Sequence, residues 1–334
     1  MYAFKTERPD AARRYHKKFI SASDYKLDPT RRFSLTEPSE NILRTSVIES
    51  GWLMKNITLR DVNAVSGNAI NIGASELHTG RVEGGRFHKR MAINGTEFFL
   101  TETDTCARIS YSDMSHICHT GIPDEFEKTL DAFFSQAYAL DMLRVGFNGV
   151  AIADTTDPEM NKKGEDVNIG WHALAKAHED GKQILSEPVT LGESGTWKNI
   201  DLLANHLITE LIAEPFREDP RLVVLVGAEL AARQRLKLFN AADRPADVNA
   251  AQMVTSSVAG RFAFIPPFMP GKRLAVTTLD NLHIYTQAMT RWFRAEFDDE
   301  NSEYVHSYLR NEGYALGEPG LYAAVDENAM TFAD

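Results

Sequence analysis

Zinc binding is the first chemistry that the residue types of this chain suggest. Cys106, His116, Cys118 and His119 lie in one short stretch and could supply thiolate and imidazole ligands. If that stretch is extended, however, the side chains of His116 and Cys118 share a face while His119 points away. Cys106 also lacks a close Cys-x-x-Cys partner. We therefore predict no zinc site and interpret both cysteines as small core hydrophobes in a reducing compartment.

A second group of candidate ligands is acidic. One polar segment carries Asp154, Asp157, Glu165 and Asp166, whose carboxylates would suit a hard cation. The residue spacing and the glycine of an EF-hand are missing there. The segment is therefore interpreted as a solvated loop.

The rest of the sequence offers no group to which catalysis can be assigned. The other histidines, among them His172, His178 and His206, have no serine or cysteine partner that the sequence identifies. The glycine-rich phosphate motifs, the Gly-x-Ser-x-Gly motif and the His-Glu-x-x-His motif do not occur. We predict no catalytic, cofactor or metal site, no cofactor, and histidines that are either satisfied or exposed.

Length and composition limit the class of protein. The 334 residues suggest about two domains, and 43% hydrophobic with 25% charged residues is the balance of a globular chain. The longest uncharged apolar stretch, 222–228, is far shorter than the roughly 18 residues of a membrane span. The N-terminal segment has no apolar signal-peptide region. These features predict a cytosolic protein without a membrane segment.

Charge is distributed unevenly along the chain. The net charge is −11, from 36 basic and 47 acidic residues. Residues 1–32 nevertheless contain nine Lys or Arg against four Asp or Glu, whereas 290–334 contain three against ten. The first segment is therefore expected to meet a polyanion or an acidic neighbour, while the rest of the protein repels one.

The N-terminal third has the pattern of extended structure. Residues 1–55 show no sustained period and are interrupted by three prolines, which predicts an extended arm. From about 56 to 100, alternating hydrophobes flank a glycine-rich middle, which predicts a long β-hairpin. Because a projecting hairpin is marginally stable alone, we expect it to pack on another chain.

A long helix, here called the spine helix, is predicted over residues 123–146, with a length of roughly 36 Å. Pro123 and the acidic residues after it are typical of a helix start, and Gly146 is predicted as its C-terminal cap. The predicted apolar face is expected to pack against a sheet; it comprises Phe126, Leu130, Phe133, Phe134, Ala137, Leu140 and Leu143.

The C-terminal half combines helices with strands. A second helix is predicted to begin near Asn199, followed by a strand at 221–226 that is buried on both faces and a short helix at 228–239. After Arg261 the pattern becomes rich in strands up to residue 325. Helices between two strand-rich ends predict the α+β class.

Particular residues also resemble those of a known family. The segments concerned are 144–150 (Arg-Val-Gly-Phe-Asn-Gly-Val), 153–158, 166–171 (Asp-Val-Asn-Ile-Gly-Trp), 214–215, 218–227 and 279–285, with weaker similarity at 32–38 and 303–308. Together they are similar to the major capsid proteins of peduovirus-type, contractile-tailed temperate phages. The resemblance runs from about Arg31 to about Val325 in the expected order.

The resemblance implies the capsid fold of tailed phages and herpesviruses. Its expected parts are an N-terminal arm (1–55), an extended loop (56–101), a peripheral domain with the spine helix (102–170 and 281–334) and an axial domain (171–280). Relatives lose an N-terminal segment to a protease at a point that aligns near Arg32, but the first 30 residues here depart most from the family, so cleavage is not predicted. An isopeptide crosslink through Lys89 is not predicted either, because no matching Asn or acidic catalyst is identified.

The function implied is that of a major capsid protein that is not an enzyme. It would assemble with itself into hexamers and pentamers of an icosahedral head that encloses double-stranded DNA. A scaffold protein, a portal and non-specifically bound DNA are the other expected partners. The expected location is the virion capsid, after assembly in the cytoplasm of the host bacterium.

Three alternatives remain open from the sequence. The main one is the shell of a bacterial encapsulin-type nanocompartment, which shares the fold and encloses protein cargo instead of DNA. An enzyme built on the buried strand near 222–226, or a DNA-binding protein that uses the basic arm, would belong to a different class.

Overall fold

A computed structural model describes residues 51–70, 79–88, 95–117, 125–241, 257–288 and 290–333. The chain divides into two compact units. The first, here called the spine unit, consists of the described part of Met1–Val65 with Leu100–Leu143 and Tyr285–Gly313. The second, here called the mixed-sheet unit, consists of Ser66–Phe99, Arg144–Ile284 and Tyr314–Asp334 as far as they are described.

The described residues contain both α-helices and β-strands. The helices are α1 (Trp52–Asn56), α2 (Tyr111–Ile117), the spine helix α3 (Glu125–Asn148), α4 (Trp171–Ala177), α5 (Ile200–His206) and α6 (Ala228–Ala241). The strands are β1 (Thr58–Val62), β2 (Ser66–Ile70), β3 (Gly95–Phe99), β4 (Thr101–Ser110), β5 (Ile184–Leu185), β6 (Val189–Leu191), β7 (Val223–Val226), β8 (Ser257–Val258), β9 (Arg261–Phe264), β10 (Leu274–Thr277), β11 (Leu282–Gln287), β12 (Trp292–Asp298), β13 (Glu303–Leu316), β14 (Ala323–Val325) and β15 (Met330–Phe332).

The predicted spine helix is confirmed, with a different end. It continues through Gly146 to Asn148, so Gly146 is a helical residue and the prediction that it caps the helix was wrong. Leu130 and Phe134 are fully buried as predicted, whereas Phe133 is 45% exposed and Leu140 is only half-buried. Tyr138 occupies the inward position one turn after Phe134.

The spine unit is built on a five-stranded sheet. Its strand order is β1-β11-β13-β12, and β4 pairs with β13 as well. The long strand β13 is antiparallel to β12, with Phe293 opposite Tyr308, and to β4, with Cys106 opposite Ser307. The sheet therefore assembles strands from three separate segments of the sequence around one central strand.

Aromatic rings join the spine helix to this sheet. Phe134 stacks on His306 of β13 with a centroid distance of 4.4 Å. The Tyr138 hydroxyl lies 2.5 Å from Nδ1 of His306. Burial lowers the pKa of His306 to about 3, so its ring is neutral and Nδ1 can accept a hydrogen bond from the tyrosine hydroxyl. The prediction that Phe134 faces a sheet is confirmed.

A six-stranded mixed sheet forms the centre of the second unit. Its strand order is β5-β14-β10-β7-β9-β8, in which β7 is antiparallel to β10 and parallel to β9. Val224, Leu225 and Val226 of β7 are all buried, which confirms the strand predicted to be covered on both faces.

The helix predicted near Asn199 packs onto this core. The Asn199 side chain accepts a hydrogen bond from the Leu202 backbone at 2.9 Å and caps α5, as its residue type favours. After His206 the helix widens into a π-helical turn, Leu207–Leu211. Leu203, Leu207 and Ile212 are fully buried.

The predicted hairpin is shorter than the sequence pattern suggests. Its paired strands are β2 and β3, with Ser66 opposite Phe99 and Ile70 opposite Gly95. Residues 58–62, which the pattern included in the hairpin, form β1 of the five-stranded sheet instead. The predicted arm up to residue 50, parts of the hairpin tip and Lys89 lie outside the described residues.

Among the helices that the structure describes, none is both long enough and apolar enough to cross a bilayer.

Candidate functional site

One tryptophan packs on the end of the spine helix. Trp171 is almost completely buried, and its ring lies so close to Gly146 that a Cβ atom there would come within 2.6 Å of it. Phe147 and Tyr314 meet the indole edge-on, at centroid distances of 5.1 and 5.6 Å. Its Nε1 donates to the backbone carbonyl of His283 at 3.0 Å. Gly146 is therefore required for close packing.

The residues after Phe147 attach the same helix end to two loops. Asn148 Nδ2 donates to the carbonyls of Arg144 at 2.8 Å and Phe268 at 2.9 Å. A Cβ atom on Gly149 would lie 2.1 Å from the carbonyl oxygen of Asn168, so a side chain would force the backbones apart. Each residue of the Phe-Asn-Gly segment thus has its own structural role.

A buried arginine connects the spine helix to the C-terminal segment. Arg273 donates from Nη1 to the carbonyl of Phe147 at 2.5 Å and from Nε and Nη2 to the two carboxylate oxygens of Glu327 at 2.8 Å. Burial alone would raise the pKa of Glu327, but the hydrogen bonds and charge of Arg273 hold that pKa below its usual value. The Glu327 carboxylate is therefore ionised at neutral pH.

His172, which belongs to α4, lies beside the ion pair of Arg273 and Glu327. Burial, and then the charge of Arg273, lower the pKa of His172 to about 3. Its Nδ1 lies 3.3 Å from the Tyr322 hydroxyl, whereas its buried Nε2 has no hydrogen-bond partner among the described residues. The prediction that every histidine is satisfied or exposed is therefore wrong for His172.

The acidic segment forms hydrogen-bonded turns, as the loop prediction expected. The Asp157 carboxylate accepts from the backbone of Glu159 at 3.0 Å and of Met160 at 3.1 Å. One oxygen of Asp166 accepts from the backbone of Asp157 at 2.7 Å. These carboxylates fix the loop through their own backbone.

The placement of Cys106 corrects the sequence analysis. It is exposed on β4, because strand alternation puts it on the same side as the exposed Glu102, Asp104 and Arg108. The prediction that it is a core residue was wrong. The side chain of His116, and Cys118 and His119 as a whole, lie outside the described residues.

A cleft opens at the base of the β2–β3 hairpin. Its volume is about 460 Å³, and its lining includes Glu97, Phe99, Ile152 and Tyr314. Phe98 is buried, whereas Phe99 is 61% exposed and Ile152 42% exposed. The hairpin base therefore presents apolar side chains to its surroundings.

Comparison with known proteins decides what kind of molecule this is. Residues 13–328 match the family of the phage major capsid protein, P2 family. The chain belongs to this family.

Two curated capsid proteins are similar over most of their length. The capsid protein of Escherichia phage P2 is 25% identical over 279 residues, which cover 77% of this chain and 76% of the relative. The major capsid protein of Serratia phage KSP20 is 21% identical over 320 residues, with 90% of each chain covered. This chain is a major capsid protein of the P2 type, and the nanocompartment alternative is not favoured.

A solved structure shows the same fold. A chain of the satellite phage P4 procapsid that includes the size determination (Sid) protein matches with a TM-score of 0.75 and 19% identity, covering 99% of both chains. The predicted α+β class and the tailed-phage capsid fold are confirmed.

Several large apolar side chains of this capsid protein are exposed. Phe262 on β9 is 77% exposed, and Met160 in the acidic loop is 81% exposed. Capsid proteins assemble with copies of themselves into a shell, and the buried centres of protein interfaces are enriched in aromatic residues and methionine. These residues, with Phe99, are candidates for the contacts between copies.

The sequence analysis identified part of this arrangement. The resemblance singled out the segments around Phe147-Asn148-Gly149 and Gly170-Trp171, and the structure brings them together. It missed Arg273 and Glu327, and it interpreted His172, whose Nε2 makes no hydrogen bond to a described residue, as an ordinary histidine. No local spacing links these three residues, because they come from distant segments of the chain.

Proposed function

We propose that this capsid protein forms hexamers and pentamers of an icosahedral head that encloses double-stranded DNA. The main support for this proposal is the match to the capsid protein family, which covers residues 13–328 and therefore both units. Exposed apolar side chains such as Phe99 and Phe262 support contacts between copies. The protein acts by assembly and has no catalytic site of its own.

The proposal also assigns a separate role to each part of the chain. These parts are the arm (1–55), the extended loop (56–101), the peripheral domain (102–170 and 281–334) and the axial domain (171–280). The spine helix packed on its sheet would give the peripheral domain stiffness. The paired strands β2 and β3 would anchor the extended loop, whose tip we place over a neighbouring subunit.

Further partners follow from charge and family. The basic arm, with five excess positive charges in residues 1–32, suits an acidic neighbouring subunit, an acidic scaffold protein or DNA phosphates. We favour the neighbouring subunit, because the net charge of −11 makes the rest of the chain acidic and therefore attractive to a basic arm. A portal protein completes the partners, and assembly takes place in the cytoplasm of the host bacterium.

Deleting 73–85 tests the role of the loop. The deletion removes most of the glycine-rich tip and leaves β2 and β3 in place. Electron microscopy of the purified wild type should show closed shells. The deletion variant should give soluble, folded subunits without shells, because no loop would cover the neighbour.

The control for this experiment is Lys162→Ala, an exposed substitution in a different loop, which should form shells and for which circular dichroism should likewise show folded protein. Normal particles from the deletion variant would contradict the role of the loop. Particles formed in infected cells should contain DNA; shells that contain only protein cargo would overturn the proposed head.

A further inference from the structure

Three residues of metal-binding type meet in the mixed-sheet unit. His172 comes from α4, and Asp326 and Glu327 come from the turn that follows β14. One donor atom from each residue lies within 4.8 Å of the other two. His172 and Asp326 are buried and Glu327 is half-buried, so the group is not an exposed acidic patch.

The imidazole lacks the partner that a buried histidine normally has. His172 is 92% buried, since only 8% of its surface is exposed. Tyr322 occupies its Nδ1 side, and Nε2 makes no hydrogen bond to any residue that the structure describes. Leaving a buried polar atom unpaired is destabilising, so a ligand for that nitrogen would be stabilising.

The surrounding groups hold both carboxylates in fixed orientations. Arg273 binds Glu327 through two hydrogen bonds of 2.8 Å. One oxygen of Asp326 accepts from the backbone and side chain of Asn328, at 3.0 and 3.2 Å. Such outer partners are what orients metal ligands in known sites.

The second oxygen of Asp326 is occupied by a cation that can be replaced. Lys176 Nζ lies 2.6 Å from this oxygen, and its side chain is 54% exposed. The ammonium can therefore turn into solvent without being buried elsewhere. Its departure leaves two carboxylates and one arginine, a net charge of −1 beside the imidazole whose Nε2 makes no hydrogen bond to a described residue.

We propose that His172, Asp326 and Glu327 form a site for a divalent transition-metal ion, which displaces Lys176 when it binds. One imidazole nitrogen with two carboxylate oxygens suits zinc or manganese, and water would fill the remaining positions. Magnesium, which prefers oxygen ligands, is disfavoured at this donor set.

The site would join two parts of the unit that are remote in sequence. α4 begins at Trp171, which packs on the end of the spine helix. The turn after β14 leads to β15, which pairs with β6. A bound ion would attach the C-terminal strands to the helix end and would stabilise the capsid subunit without taking part in a reaction.

Zinc binding to the full chain tests this proposal. We would measure bound zinc by equilibrium dialysis and elemental analysis, with Cys106→Ser in every variant to remove the exposed thiol. One zinc per chain is expected above the binding of His172→Gln, whose affinity should fall at least about tenfold because a direct ligand is lost. Magnesium at the same concentration should not compete.

A substitution of the displaced lysine separates a metal site from an ion pair that only stabilises the fold. Lys176→Gln removes a positive charge next to Asp326 and should tighten zinc binding about tenfold. Lys182→Gln, a more exposed lysine next to Glu179, is the matched control and should leave the affinity unchanged.

The zinc measurements test the proposal even if one of the variants is unstable. Lys176 is largely exposed, so its replacement should leave circular dichroism unchanged and the measurement interpretable if His172→Gln fails to fold. Equal zinc affinity in the wild type and Lys176→Gln would overturn the proposal. Equal binding by wild type and folded His172→Gln would overturn it as well.

Discussion

The two units of this capsid protein have cores that consist of different kinds of side chain. In the spine unit, rings and polar groups fill the space between helix and sheet: Phe134, Tyr138, Phe293, Tyr304, His306 and Tyr308. Arg310 and Glu312 are buried there as a pair with a contact of 2.5 Å. The core of the mixed-sheet unit consists mainly of Val, Leu, Ile and Ala from β7, β10, β14 and α5.

The interactions that stabilise the first core depend on the orientation of the groups, whereas those that stabilise the second do not. Stacked rings and a hydrogen-bonded histidine specify one orientation of the spine helix on its sheet, and they make that orientation depend on protonation. Aliphatic side chains are stabilised by the removal of their surface from water and by packing, which do not titrate. We therefore expect the first core to respond to pH through its own side chains, and the aliphatic cluster to respond only through groups outside it, such as His172.

The largest effect is expected from Phe134→Ala in the spine unit. The substitution removes a fully buried ring that stacks on His306 and contacts Tyr304, and it should lower the free energy of unfolding by about 3 to 5 kcal/mol. Denaturant unfolding of unassembled subunits measures this. Phe133→Ala, the exposed neighbour, is the control and should cost less than about 1 kcal/mol. Equal costs at the two positions would refute the assigned helix face.

Leu203→Ala in the mixed-sheet unit is expected to have the next largest effect on the free energy of unfolding. Leu203 is fully buried in the aliphatic cluster, and its truncation should cost about 2 to 5 kcal/mol, independent of pH between 5 and 7. Hydrogen exchange of β7 and β10 amides would locate the loss in this unit. The adjacent Leu202 is 48% exposed, so Leu202→Ala should be nearly neutral. A loss at Leu203 that grows with acidity would break the contrast between the cores.

The smallest effect is the pH response of His306. Its folded pKa is about 3, whereas an unfolded histidine has a pKa near 6.5, so the unfolded state binds the extra proton between these values. Neutral His306 makes its full contribution to the free energy of unfolding above pH 6.5. This contribution declines as the pH falls towards 3, and at pH 5 it has fallen by about 2 kcal/mol. His306→Phe keeps a ring for stacking but cannot titrate.

The stability difference between the wild type and His306→Phe isolates this contribution, because other titrating groups are common to both. The wild type should lose about 2 kcal/mol relative to the variant between pH 7 and pH 5. A difference that stays constant over this range would show that His306 is not held neutral by burial.

Local patterns in the sequence identified several elements because the cause of each lies within a few residues. The three- and four-residue spacing around Leu130 and Phe134 predicted the spine helix, and the apolar run before Gly227 predicted the buried strand β7. The same reasoning failed at Gly146, because a glycine near a helix end fits both a cap and a close contact. Only the position of Trp171 distinguishes the two.

The sequence alone predicted helix α5, strand β7 and helix α6 in that order, the run of strands after Arg261, the α+β class and the resemblance to capsid proteins, whereas α4, β5 and β6 were not predicted. Periodicity and turn residues express local preferences that need no partner. The tertiary structure alone decided that β1 joins the five-stranded sheet, that Cys106 faces outward, and that His172 meets Asp326 and Glu327. These outcomes depend on which distant segments pack together, and no spacing within the sequence encodes that choice.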